Sequence, residues 1–227
     1  MLRIFSLILI LAGFSHPVFA EATVVSYVNE AEDDPSFAEY RVKLLLAIHA
    51  RDTEAVIGLS DPEIHLSFGG QAGHDDFREI LNVPEENLSE DFKPQAQAMR
   101  DEIWESLEST IKLGGRFDAD GGFTAPYYWN VDLPDSFDAY STYFVTGSRV
   151  ALRDGPSRNS NILARVSYAV VDVPYSENPS EWRLITIPGT KYAGYMHEDY
   201  LRSQIDYRAA FEKVNGEWKM QFFIAGD

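Results

Sequence analysis

Apolar positions along the chain change period several times, and each change predicts an element. Phe37, Tyr40, Leu44, Leu45 and Ile48 recur at three- and four-residue intervals. That repeat lays one stripe of a helix against a core while Arg41, Lys43 and Arg51 reach water. Ser36 and Glu39 have the spacing of a capping box, so the helix is expected to start at Ser36. Asp52 is placed to cap a second short helix through Ile57. Ile64, Leu66 and Phe68 then alternate in a run ended by Gly69-Gly70, the pattern of a half-buried strand with the three on one face. A helix is expected over 75–81. From Pro94 onward, Met99, Ile103, Leu107 and Ile111 recur every fourth residue, with Gly114-Gly115 as a left-handed stop. The run RFDADGGFTAPYYWNVDLPDSFDAY mixes aromatics with Gly, Pro and Asp and reads as an ordered but irregular cover, its aromatics in the core.

The end of the chain is the most sharply patterned part. YRAAFEKV and EWKMQFFI flank Asn215-Gly216, a two-residue turn signal that sets the pairing of a hairpin. It sets Tyr207 opposite Ile224, Ala209 opposite Phe222, Phe211 opposite Met220 and Lys213 opposite Trp218, with Glu212 facing Lys219 on the other side. An isolated hairpin is marginal in water. This one must therefore join a sheet elsewhere, and the 62–68 strand is the obvious neighbour.

Between Gly147 and Leu201 the apolar runs are short and closely spaced: RVALR, NILARV, AVVDVPY, EWRLITI, AGYM and HEDYL, with DGPSRNSN as the loop between the first two. This spacing suits a small all-β barrel. Arg153, Gly155, Pro156, Ser157, Ser160, Ile162, Trp182, Gly194, Tyr195, Tyr200 and Leu201 fall in the order of a known pattern, and the segment resembles the bacterial SH3 (SH3b) family. Ala151, Tyr168 and Tyr195-Met196 depart from that pattern. The implied architecture is α+β. A helix-plus-sheet domain over 21–146 is completed by the hairpin over 204–227, and an SH3b-like barrel over 147–203 is inserted between them. The whole chain resembles exported bacterial proteins that set an α+β region before such a segment.

Composition and charge narrow the function. Residues 1–20 have a basic start at Arg3, an apolar core from Ile4 to Phe14 and a Val18-Phe19-Ala20 cleavage site. They read as a signal peptide, so a periplasmic or secreted protein is expected, with no membrane insertion after cleavage. The chain has no cysteine, which excludes disulfides, thiol nucleophiles and thiolate metal sites. A formal net charge of −17 disfavours nucleic acid as a partner.

Candidate chemistry is sparse. Asp118-Ala119-Asp120-Gly121-Gly122 has part of a calcium-loop pattern, but Trp129 stands where the bidentate Glu belongs, and a simple turn is the plainer reading. His74-Asp75-Asp76 suits either acid–base work or the capping of a helix. Glu102 with Glu105, or Asp132 with Asp135, could serve as paired carboxylates only if their separation in space allowed it. No catalytic residue, metal or cofactor is assigned. The resemblance instead implies recognition of cell-wall peptide or glycan, or of another envelope protein, at a groove lined by Tyr168, Tyr175, Trp182, Tyr195 and Tyr200. A cell-wall hydrolase targeted by the barrel, and an inhibitory or structural partner that has lost wall binding, are the alternatives.

Overall fold

The computed structural model describes residues 22–177 and 180–226, so the leader over 1–20 lies outside the described residues. Its helices are α1 (Pro35–His49), α2 (Thr53–Gly58), α3 (Gly73–Asn82) and α4 (Ala96–Lys112). The strands are β1 (Ser60–His65), β2 (Arg116–Phe117), β3 (Phe123–Ala125), β4 (Thr142–Val145), β5 (Val150–Arg153), β6 (Ile162–Val166), β7 (Val170–Asp172), β8 (Trp182–Thr186), β9 (Ala193–His197), β10 (Leu201–Ser203), β11 (Arg208–Val214) and β12 (Glu217–Ile224). The fold is mixed α+β with two sheets.

Helix α1 starts one residue before Ser36, capped by Asp34 rather than by Ser36. The Asp34 carboxylate accepts the Ser36 N–H at 2.7 Å and the Phe37 N–H at 3.3 Å. Pro35 supplies the first helical residue, where its fixed φ and missing N–H cost nothing. Glu39 pairs instead with Lys43 on the surface at 2.8 Å. The cap also ties α1 to the hairpin: Lys213 Nζ reaches Asp34 at 2.9 Å, and Trp218 Nε1 donates to Ser36 Oγ at 2.9 Å. The hydrogen bond from Ser36 and the Lys213 ammonium hold the Asp34 carboxyl well below the usual carboxylate range. Asp52 caps α2 through the Ala55 N–H at 3.0 Å, as its position suggested.

The first sheet has the order β1-β12-β11-β3-β2. The hairpin is thus its centre, with β1 running parallel to β12 on one side and β3 antiparallel to β11 on the other. Near the turn the pairing matches the expectation: Phe211 faces Met220, Glu212 faces Lys219 and Lys213 faces Trp218. Farther out it does not. A bulge between Ala210 and Phe211 advances β12 by one residue, so Ala209 faces Phe223, Ala210 faces Phe222 and Arg208 faces Ile224. The extra residue turns Phe223 into the core and leaves Phe222 half-buried.

Two further expectations change. Ile64 and Leu66 are buried, but Phe68 is 66% exposed. The strand ends at His65, and Leu66 N–H donates to the Gln71 carbonyl, closing a tight loop that carries Phe68 outward. The supposedly irregular cover after Gly115 contributes β2 and β3, because Phe123 and Ala125 pair with Phe211 and Ala209. Of its aromatics Phe123, Tyr127 and Tyr128 are buried, as expected, whereas Phe117, Trp129 and Phe137 are half-buried and Tyr140 is exposed.

The core under this sheet gathers one face of each helix. In α4, Trp104, Leu107 and Ile111 are buried, while Met99 and Ile103 are half-buried. Trp104 Nε1 donates to the Leu81 carbonyl at 3.1 Å, satisfying a buried donor and locking α4 to α3.

The second sheet is antiparallel with the order β10-β4-β7-β8-β9-β5-β6. It takes up β4, which precedes the boundary expected at 147. Each strand contributes to one buried cluster: Val145, Leu152, Val166, Val171, Ile185, Met196 and Leu201. A single sheet that surrounds one cluster must wrap around it, yet β10 and β6 stay unpaired with each other. The closed barrel expected over 147–203 is therefore an open sheet. The chain turns at Gly147 to Arg149, where Arg149 takes φ 56, and the short β10 is occupied by β4.

A smaller apolar cluster joins the two sheets. Val25, Tyr127, Tyr128, Phe144 and Val170 are buried in it, with Tyr128 stacked on Phe144 at 4.3 Å. The stretch before α1 packs into this cluster through Val25 and Val28. Thr23 and Val25 make backbone hydrogen bonds to Val170 and Tyr168, and Ala31 is buried.

Candidate binding groove

Alternation along the second sheet sorts its side chains. On β5, Val150 and Leu152 point into the cluster, so Ala151 and Arg153 point outward. Register carries that outer face across the sheet, since Arg153 pairs with Tyr195, Tyr195 with Leu184, and His197 with Trp182. Residues paired across a ladder share a face. Arg153, Tyr195, Leu184, Trp182 and His197 therefore lie on one surface, joined by Arg165, which pairs with Ala151.

The loop between β5 and β6 is tightly held. Asp154 N–H donates to the Asn161 carbonyl at 3.0 Å, and the Asp154 carboxylate accepts the Asn161 N–H at 2.9 Å and its Nδ2 at 2.8 Å. Arg153 donates to the Ser160 carbonyl at 2.8 Å. A Cβ at Gly155 would sit 2.8 Å from Ser160 Oγ, so a side chain there would oblige the Ser160 hydroxyl to turn away. The polar DGPSRNSN stretch is a clamped loop that presents Arg158.

Against this face lies an open groove of about 350 Å³. Arg149, Arg153, Arg158 and Arg165 surround it, and Trp182, His197, Tyr200, Ala151, Ser148, Val150 and the acidic Asp199 complete its lining. The Arg153 guanidinium lies 5.9 Å from the Trp182 ring centre, and His197 meets the Trp182 ring edge-on at 5.1 Å. His197 is positioned between the carboxylates of Asp199 at 3.1 Å and Glu181 at 3.8 Å. Among the described residues none of the four arginines is within 4.0 Å of a carboxylate. Arg78, by contrast, is held by both Glu54 and Asp75. The groove therefore offers guanidinium donors over an aromatic wall, an arrangement suited to anions and to stacked planar groups.

The five aromatics expected to line a groove are not all together. Trp182 and Tyr200 line it. Tyr195 shares the sheet face with Trp182 but lies outside the lining. Tyr175 is 89% exposed beyond β7 and stands apart. Tyr168 packs elsewhere, stacked on Tyr27 at 6.0 Å and edge-on to Tyr127 at 6.2 Å, with its backbone at φ 51. Burial first, and then the neighbouring Tyr168 and Tyr27, push the Tyr127 phenol above its ordinary range.

The other candidates resolve into local structure. Asp118 Oδ1 accepts the N–H groups of Asp120 and Gly122 at 2.9 Å each, a turn rather than a calcium loop. Asp76 accepts the Ala72 N–H at 3.0 Å ahead of α3, and Asp75 pairs with Arg78. Among the described residues no three His, Asp or Glu side chains are arranged to hold a metal. Glu102 and Glu105 do line a polar cleft of about 700 Å³ with Glu198, Asp199, Asp206 and Arg202. Both are exposed, with no apolar wall of the kind that keeps a carboxylic acid protonated for catalysis. Asp132 and Asp135 are exposed and line neither the groove nor this cleft.

No protein-family model matches the chain, and no curated protein matches it. Sequence reasoning missed the arginines as a set. The signal was present, because GSRVALRDGPSRNSNILARV holds four of the 19 basic residues and a single acidic one in a chain of net charge −17.

Proposed function

We propose that the protein is an exported, non-catalytic binding or scaffold protein of the cell envelope, and that its second sheet is an SH3b-type module recognising cell-wall peptide or glycan. The observation that carries this reading is the groove. It forms on the outer face of β5, β8 and β9, the strands that bear the SH3b-like motif, and two of the aromatics expected there, Trp182 and Tyr200, line it. Its lining favours binding over chemistry. Guanidinium groups stay protonated and cannot act as bases, and although Ser148 lines the groove with His197, no hydrogen bond joins the two among the described residues, His197 Nδ1 accepting instead from the Asp199 N–H. The leader-like start of the chain supports a periplasmic or secreted location.

The test is co-sedimentation of residues 22–227 with purified peptidoglycan. The wild-type chain is expected in the pellet at low and physiological salt. Combined Trp182→Ala and Tyr200→Ala substitution should leave it in the supernatant, and Tyr168→Ala should not, because Tyr168 packs against Tyr27 and Tyr127 away from the groove. Circular dichroism establishes that each variant is folded. A wild-type chain that stays in solution at both salt concentrations overturns the proposal, and release of soluble wall fragments would favour the hydrolase reading.

A further inference from the structure

We infer that the groove between Arg149, Arg153, Arg158 and Arg165 binds a short acidic peptide through its free carboxylates. The inference rests on the reading of this groove as the binding site and adds the chemistry of what it takes. Four guanidinium groups lie around one cavity of about 350 Å³ without a carboxylate partner among the described residues. Arg149, Arg158 and Arg165 are exposed, and Arg165 spends one donor on the Arg149 carbonyl at 3.1 Å, leaving its other N–H groups for a ligand. A planar guanidinium matches a carboxylate through two parallel hydrogen bonds, which makes such clusters selective for that group. The Trp182 and Tyr200 rings give a peptide backbone and its side chains something to lie against.

The rest of the molecule sets the size of the ligand. At physiological ionic strength charges are screened over about 8 Å, so within the groove the local arginines dominate over the acidic surface. A long polyanion would meet the Asp199 carboxylate of the lining and run out of the groove onto a protein of net charge −17. The field therefore admits a ligand carrying a few negative charges and rejects an extended one. Wall stem peptides and acidic protein segments share the required chemistry, a peptide with unpaired carboxylates.

Fluorescence anisotropy tests this with residues 22–227 and two rhodamine-labelled peptides, Ala-Glu-Ala-Glu and its amidated twin Ala-Gln-Ala-Gln. The acidic peptide is expected to bind and the amide twin to bind about ten-fold more weakly, as lost charge-assisted hydrogen bonds require. Arg158→Gln and Arg165→Gln should each weaken the acidic peptide by about five-fold and leave the amide twin unchanged. Both substituted side chains are exposed, so thermal melting should be unaltered. Inorganic polyphosphate should compete less well than the peptide. Equal binding of the two peptides, indifference to both arginine substitutions, or tighter binding of long polyphosphate each overturns the inference. Peptidoglycan retention without acidic-peptide binding would overturn it too while leaving the wall-binding reading intact. Acidic-peptide binding without wall retention would support it and remove that reading.

Discussion

A chain ended after Ser203 is expected to lose the first sheet altogether and with it the packing of α1 to α4. The hairpin missing from such a chain supplies β11 and β12, the inner strands of the order β1-β12-β11-β3-β2. Without them β1 has no partner, and β2 and β3 remain as a pair of two and three residues, too short to persist in water. The same deletion removes Phe211, Trp218, Met220 and Phe223, all buried in the core beneath the helices. Each contributes on the order of 1.5–3 kcal/mol through burial alone, against a total stability of about 5–15 kcal/mol for a typical domain. Amide proton spectra of the shortened chain should show collapsed dispersion for residues 30–125. Native-like dispersion there would mean that the N-terminal part folds without its C-terminal strands.

The second large effect is Phe37→Ala, expected to cost about 3–5 kcal/mol. Phe37 is 1% exposed and is the point where α1 meets the sheet. Its ring lies 4.2 Å from Phe123, 4.9 Å from Trp218 and 5.5 Å from Phe211, so three strands close around it. A cavity there cannot be refilled by α1, whose start is fixed by the Asp34 cap and by the bonds from Lys213 and Trp218. Urea unfolding should show the loss as a lower midpoint with an unchanged slope. Leu46→Ala on the same helix, at a side chain 65% exposed, is the control and should change stability by less than about 0.5 kcal/mol. A Phe37→Ala midpoint close to that of Leu46→Ala would show that the aromatic cluster does not hold the lobe together.

What could be read in the chain followed from short-range periodicity. The α1 stripe, the Asp52 cap, the Asn215-Gly216 turn and five of the six apolar runs between Gly147 and Leu201 are local patterns that appear where their residues place them, while the sixth, HEDYL, is a 3-10 turn over Glu198–Tyr200 that leads into β10. The turn takes φ 53 at Asn215 and φ 86 at Gly216, which is why that pair is so informative. The failures came from partners distant in sequence. Nothing near Ala210 announces a bulge, because it answers to β3 and the core rather than to its own neighbours. The capping box lost to Asp34 through ties to Lys213 and Trp218, far along the chain. Phe68 is the local exception, carried outward where the six residues from Leu66 to Gln71 close on themselves.

The candidate groove shows the same division. Trp182 and Tyr200 stood out by type and by motif, whereas Tyr168 has the same chemistry and is diverted by Tyr27, a residue of the N-terminal stretch that packs along β7. The four arginines lie on two strands and two loops. Their convergence depends on the register of β5 with β6 and β9, which a list of residues does not contain.

The central claim is that the outer face of β5, β6, β8 and β9 is where this protein meets its ligand. Titration of the isotope-labelled chain with soluble peptidoglycan fragments, followed by amide and indole proton shifts, tests it most directly. The account predicts saturable shifts at Ala151, Gly155, Arg158, the Trp182 indole and Tyr200, with the core around Phe37 unmoved. Shifts confined to the apolar groove between α3 and α4 around Ile80 and Met99, or none at all, would contradict it.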